Sequence, residues 1–181
     1  MHARFVLVPL AALAAVAPPA IHAATYLTVA QAQALMFPGQ RLTPDFLDLS
    51  TTQIAAIERD AQVKVLTPQV RAWRTSGGGW FLADQVYGKS ELIAYAVALD
   101  AAGAVQRVEI LSYQEAHGGE VRLPAWRAQF IGKHHGDAMH LDEDIRNISG
   151  ATISCRHVTE GVRRLLSTWA LVLAPQAHAR G

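Results

Sequence analysis

The chain has 181 residues, 51% of them apolar, and a formal charge of +1. That length suits one domain plus a processed leader, and the apolar half is ample material for a core. No basic stripe points to nucleic acid and no acidic tail to a solvating segment, while the single cysteine, Cys155, excludes an intramolecular disulfide.

In chain order, the first element is a secretory leader over residues 1–23. His2 and Arg4 give a weakly basic start, residues 5–17 are apolar, Pro18-Pro19 breaks the run, and Ile21-His22-Ala23 offers a cleavage site after Ala23. The run is short of the roughly 20 apolar residues that span a bilayer. Retention as a membrane anchor is the alternative. No cysteine stands at a lipobox position, which argues against a lipoprotein. A leader of this kind implies export to an oxidising compartment, and its loss removes Arg4 and leaves no formal net charge.

Thr28 with Gln31 fits a capping box, so a helix is predicted through Met36 and ends at Pro38-Gly39. Ser50 with Gln53 is a second capping box, and Ile54 and Ile57 form the apolar side of a short helix. The β-branched run 63–66 reads as a strand. Thr75 to Gly79 reads as a turn, and 80–86 as extended. Gly88-Lys89 turns the chain into a buried strand over 92–99. Asp100-Ala101-Ala102-Gly103 is a hairpin connection to a partner strand over 105–111. Pro124 suits the first turn of a helix carrying Trp126, Phe130 and Ile131. Residues 132–140 form a polar, histidine-rich loop. From Thr152 onward, Val158, Val162, Leu165, Leu166, Trp169 and Leu173 recur at helical spacing. The sum is an α+β fold, a single domain in which an antiparallel sheet packs against helices.

The segment before that last helix is Ile148-Ser149-Gly150-Ala151-Thr152-Ile153-Ser154. Gly150 permits positive φ and close approach of the backbone to a ligand. Ser149 and Thr152 offer hydroxyls where a helix begins, and unpaired amides and the helix dipole favour phosphate there. Taken alone, Ser-Gly before a helix is more often a cap and a turn.

The segment keeps company, however. Gly88 precedes a strand, the hairpin Asp100 to Val105 follows, and then come Ser112-Tyr113-Gln114-Glu115-Ala116-His117-Gly118 and Trp126-Arg127-Ala128-Gln129-Phe130. In this order, over roughly residues 87–166, the chain resembles the periplasmic FMN-binding domain family, found in the small peripheral subunits of Rnf- and Nqr-type redox complexes. Tyr26-Leu27-Thr28 to Phe37-Pro38-Gly39 is similar to the start of stand-alone secreted members. The chain then divides into the leader over 1–23, a helical and strand region of the same domain over 24–86, an FMN-binding region over 87–173, where the resemblance lies and implies a periplasmic protein, and a tail over 174–181. The resemblance further implies that Thr152 carries FMN through a phosphoester, set there by a flavin transferase that draws on FAD. Ser149, Gly150 and Ala151 would shape the phosphate turn, with Ser154 nearby. Glu115 and Gln129 would lie by the flavin. The protein would then be an electron carrier serving a membrane-bound redox partner rather than a free-standing enzyme.

Other readings compete. Similar domains act as redox sensors or regulatory modules. Phe130 reads as a core residue, Lys133 as a solvated surface lysine, and Cys155 as a small buried apolar residue. His134, His135 and His140, with His117 and Asp137, could hold a metal or haem, but their loop spacing fixes no ligand geometry. No metal site is assigned.

Overall fold

The computed structural model describes residues 24–115 and 117–179, so the expected leader lies outside the described residues. Among them, no helix is long and apolar enough to cross a membrane.

Both expected capping boxes form. Thr28 Oγ1 accepts from Gln31 N while Gln31 Oε1 accepts from Thr28 N, starting α1 (Val29–Met36). Ser50 and Gln53 repeat the exchange at α2 (Thr51–Ala61). Two orphan amides are satisfied at each helix start, which fixes where the chain turns into helix.

Among the described residues, seven strands form one antiparallel sheet. They are β1 (Ala24–Thr25), β2 (Leu42–Pro44), β3 (Leu47–Asp48), β4 (Gln69–Thr75), β5 (Trp80–Tyr87), β6 (Leu92–Leu99) and β7 (Val105–Tyr113). The order is β1-β7-β6-β5-β4-β2, and β3 also pairs with β4. Residues alternate between two covered faces. One face presents Ala72, Leu82, Tyr95, Val97, Val108 and Ile110 to the larger core. The other presents Trp73, Phe81, Ala96, Ala98 and Leu111 to Ala32 and Phe37 of the α1 region. Burial on both faces explains why β6 is apolar almost throughout, without the alternation of a half-exposed strand.

The larger core is closed by α4 (Thr152–Thr168), whose Val158, Val162, Leu165 and Leu166 are buried as their spacing predicts. Trp169–Leu173 then widens into a π turn before α5 (Ala174–Ala179). Pro175 accounts for this. It lacks an N–H and its ring would crowd the carbonyl four residues back, so the helix loosens, and Ala174 N–H reaches Trp169 O instead.

A buried ion pair fastens α4 to the sheet. Arg164 Nη2 lies 2.6 Å from Asp84 Oδ2, and the same guanidinium donates to Gln85 O and Lys64 O. Tyr95, fully buried, donates its hydroxyl to Asp84. Gly161 lets the helix come this close, since a Cβ there would collide with the Tyr95 hydroxyl.

Two expectations fail. Residues 63–66 are not a strand. Val65 N–H donates to the Glu58 carboxylate and Lys64 O accepts from Arg164, so side chains rather than a neighbouring strand take these backbone groups. The strand starts later, at Gln69. The helix at Pro124 also stops short. α3 (Pro124–Arg127) gives way to a 3₁₀ turn (Ala128–Phe130), which leaves Ile131 outside it and exposed before Gly132 at φ +81°.

Candidate functional site

Three separate pieces of chain meet at the N-terminus of α4. They are the β5–β6 turn at 88–91, the segment following β7, and residues 147–154. Between them lies a cleft of about 430 Å³ lined by Lys89, Ser90, Glu115, His117, Gly150, Ala151, Thr152, Ile153 and Ser154. A second cleft of about 660 Å³ adjoins it and shares His117 and Gly150. Its other walls are Gly118, Gly119, Glu120, Arg122, Leu123 and Pro124.

The helix start is uncapped. Ala151 occupies the capping position and has no side-chain oxygen to offer; its backbone φ is −119°. Amides in the first turn of a helix have no carbonyl four residues back, so this end offers donors and a partial positive charge to an anion. Gly150 turns the chain at φ +86°, and the space where its Cβ would stand is open. An uncapped helix end, an open glycine and a flanking lysine together make a cradle that fits a phosphate group.

Thr152 faces the cleft half-buried, and its Oγ1 accepts a hydrogen bond of 3.1 Å from Asn147 Nδ2. Ser149 is exposed and lines neither cleft, and it does not cap α4. The ordinary capping role open to Ser-Gly in the sequence is therefore not the one these residues perform. Ala151 is buried, and its N–H donates to Ile148 O to close the turn.

Ser154 lines the cleft but is mostly buried, with Oγ 2.8 Å from the Tyr113 hydroxyl. Tyr113 donates its one hydroxyl proton to His117 O, so Ser154 is the donor to Tyr113. Burial raises the Tyr113 pKa, against a smaller lowering by the Ser154 bond. This chain of bonds pins the 113–118 segment to α4. Gly118, at φ +88°, sits against it; a Cβ there would stand 2.7 Å from the Tyr113 hydroxyl and 2.9 Å from Ser154 Oγ.

Glu115 lies in the cleft wall and holds the opposite loop. Its Oε1 accepts from Ser90 N at 2.5 Å and Glu91 N at 2.9 Å. Desolvation pushes its pKa upward, but the amides of Glu91, Ser90 and Lys89 outweigh that and hold the carboxyl below its ordinary range. Gly88 is required beneath it, because a Cβ would collide with the carboxylate.

Gln129 is placed elsewhere. Its Nε2 donates to Trp126 O and its Oε1 accepts from Arg146 N, and it lines neither cleft. Phe130 is fully buried. Lys133 donates to Ala138 O. Cys155 is also fully buried, and desolvation raises its pKa, which keeps it a thiol.

The histidines do not converge. His134 is 3.8 Å from Asp137, His135 is 2.7 Å from Asp60, and His140 is 3.1 Å from Asp144. Each faces a different carboxylate. Among the described residues, the group of donors that could hold a metal is His140, Glu143 and Asp144, all exposed.

Lys89, His117 and Asn147 were not among the flavin-site residues expected from sequence; His117 entered only as a possible metal or haem ligand. Lys89 and His117 reach the cleft only through the pairing of β5 with β6 and the return of β7. Nothing in the sequence around Asn147 says which way its amide points.

No curated protein matches the chain. Residues 88–167, a span that contains every residue lining the two clefts, match the family model of the FMN-binding domain, which supports flavin binding and FMN as the cofactor.

Proposed function

We propose that this chain is a periplasmic electron-transfer flavoprotein that carries FMN through a phosphoester on Thr152. It would relay electrons between a membrane-bound redox partner and a periplasmic acceptor. The observation that carries this reading is the Thr152 hydroxyl at the uncapped start of α4, facing a cleft inside the FMN-binding match.

A flavin transferase would join Thr152 Oγ1 to the FMN phosphorus of FAD. The pyrophosphate bond of FAD breaks, AMP leaves, and the threonine proton is lost. The first-turn amides and Lys89 would hold the phosphate. Gly150 keeps side-chain bulk out of its way. Glu115 acts indirectly by fixing the 88–91 turn that carries Lys89. When bound, the flavin supplies the redox chemistry, and the chain supplies placement and electrostatics. A covalent tether suits a compartment where a loosely held flavin would be lost.

The test is intact mass of the mature chain, exported from cells that express a flavin transferase, beside Thr152→Ala. The expected result is a gain of one FMN less water in the parent and none in the variant. A parent chain without that gain, exported beside another target that is labelled, would remove the covalent carrier reading.

A further inference from the structure

We infer that Asn147 is the positioning residue for the acceptor hydroxyl, presenting Thr152 with its oxygen held and its proton free. The inference rests on the proposal that Thr152 is flavinylated.

The polarity of the contact is settled by the network around it. Asn147 Oδ1 accepts from Ile148 N at 2.8 Å. A backbone N–H can only donate, so this end of the amide is the oxygen, and Nδ2 is the end that meets Thr152 Oγ1 at 3.1 Å. Nδ2 can only donate. Thr152 Oγ1 is therefore the acceptor in this bond, and its own proton is not spent on Asn147.

That arrangement suits an attacking hydroxyl. The oxygen is tied to one rotamer by a donor behind it, while its hydrogen and remaining lone pair are left for the cleft. Orientation of this kind lowers the cost of reaching the reactive geometry. The same donor remains useful after transfer. When Oγ1 has become the ester oxygen and its proton is gone, a group that only donates still finds an acceptor there. It also brings no negative charge near the phosphate.

An aspartate at 147 would separate this role from a structural one. Asn147→Asp keeps the oxygen that accepts from Ile148 N–H, so the turn before Ser149 retains its bond. It loses the donor to Thr152 and places a carboxylate beside the phosphate. Protonation of that carboxyl would restore a donor and remove the charge.

The experiment measures the rate of FMN transfer from FAD to the purified full chain by a flavin transferase, followed by intact mass. Parent, Asn147→Asp, Asn147→Ala and Thr152→Ala chains are compared at several pH values, with thermal unfolding of each as the check on fold. The expected result is transfer slowed roughly tenfold or more in both Asn147 variants near neutral pH, with unfolding midpoints close to the parent. The Asp-to-parent rate ratio should climb as pH falls into the carboxyl range, and the Ala-to-parent ratio should stay flat. Transfer to Asn147→Asp at the parental rate would overturn the inference, because the turn contact alone would then suffice. A flat Asp-to-parent ratio across pH would overturn it as well. No transfer even to the parent chain would overturn both this inference and the flavoprotein reading, whereas parental labelling lost only in Thr152→Ala would leave that reading standing without a role for Asn147.

Discussion

At the scale of single residues, the cleft depends on small groups in tight places. Gly118 and Gly150 share the left-handed conformation, but their surroundings differ: Gly118 faces the Tyr113 and Ser154 hydroxyls and Gly150 faces open space. Gly118→Ala should therefore cost about 1–3 kcal/mol, combining backbone strain with the contact. Gly150→Ala should cost only the backbone share, about 1–2 kcal/mol. Urea unfolding would rank them, and a Gly118→Ala chain no less stable than Gly150→Ala would refute the crowding. Residue identity in the sequence was enough to expect positive φ at Gly150 and a hydroxyl where α4 begins, since both are local properties, whereas the acceptor role of Thr152 was implied only by the family resemblance. It was not enough for Gln129 or Ser154. Their partners, Arg146 and Tyr113, are set by tertiary packing, so their hydrogen bonds were not readable from spacing.

At the scale of elements, the question is what holds each loop and helix against the next. The 88–91 turn hangs on the Glu115 carboxylate. The folded chain lowers the pKa of this group below its ordinary 4.5, so it binds the deprotonated form more tightly than the unfolded chain does. Its contribution is therefore complete above 4.5 and fades as pH falls through the lowered value. In an NMR titration, the Ser90 and Glu91 amide shifts should move together with a midpoint below 4.5, and the step should vanish in Glu115→Gln. A midpoint above 4.5 in the parent would contradict the hydrogen-bond assignment. For α4, the anchor is Arg164. Arg164→Ala would strand Asp84 in a largely buried setting and should destabilise the fold by about 3–5 kcal/mol. Thermal or urea unfolding reads this directly, and a loss under 1 kcal/mol would mean that water reaches Asp84 freely. Elements with strong local signals, the two capping boxes and the amphipathic α4, were visible in advance. β4 was not, because Gln69, Arg71 and Arg74 face outward and dilute its apolar pattern, whereas the β-branched run at 63–66 has its Val65 N–H and Lys64 O taken by side chains.

At the scale of the whole molecule, one antiparallel sheet is covered on both sides, by α2 and α4 across one face and by α1 across the other. The α+β class followed from the sequence because the hairpin at Asp100–Gly103 and the helical periodicity after Thr152 are independent signals that point the same way. The strand order did not, since β1, β2 and β3 are only two or three residues long and take their places by pairing with β7 and β4. Strands that short carry no periodicity to read.

The cleft is assembled from three stretches of chain that are far apart in sequence, and it exists only once the sheet has closed. An unfolded chain would display the linear Ser-Gly-Ala-Thr segment but none of the surrounding wall. Any modification that requires the wall becomes a record of folding history, in which each tagged molecule has been native at least once and those that never fold stay blank. The fraction tagged in a short pulse would then act as a census of native molecules inside the living cell, falling for the Arg164 variant although that residue lines neither cleft.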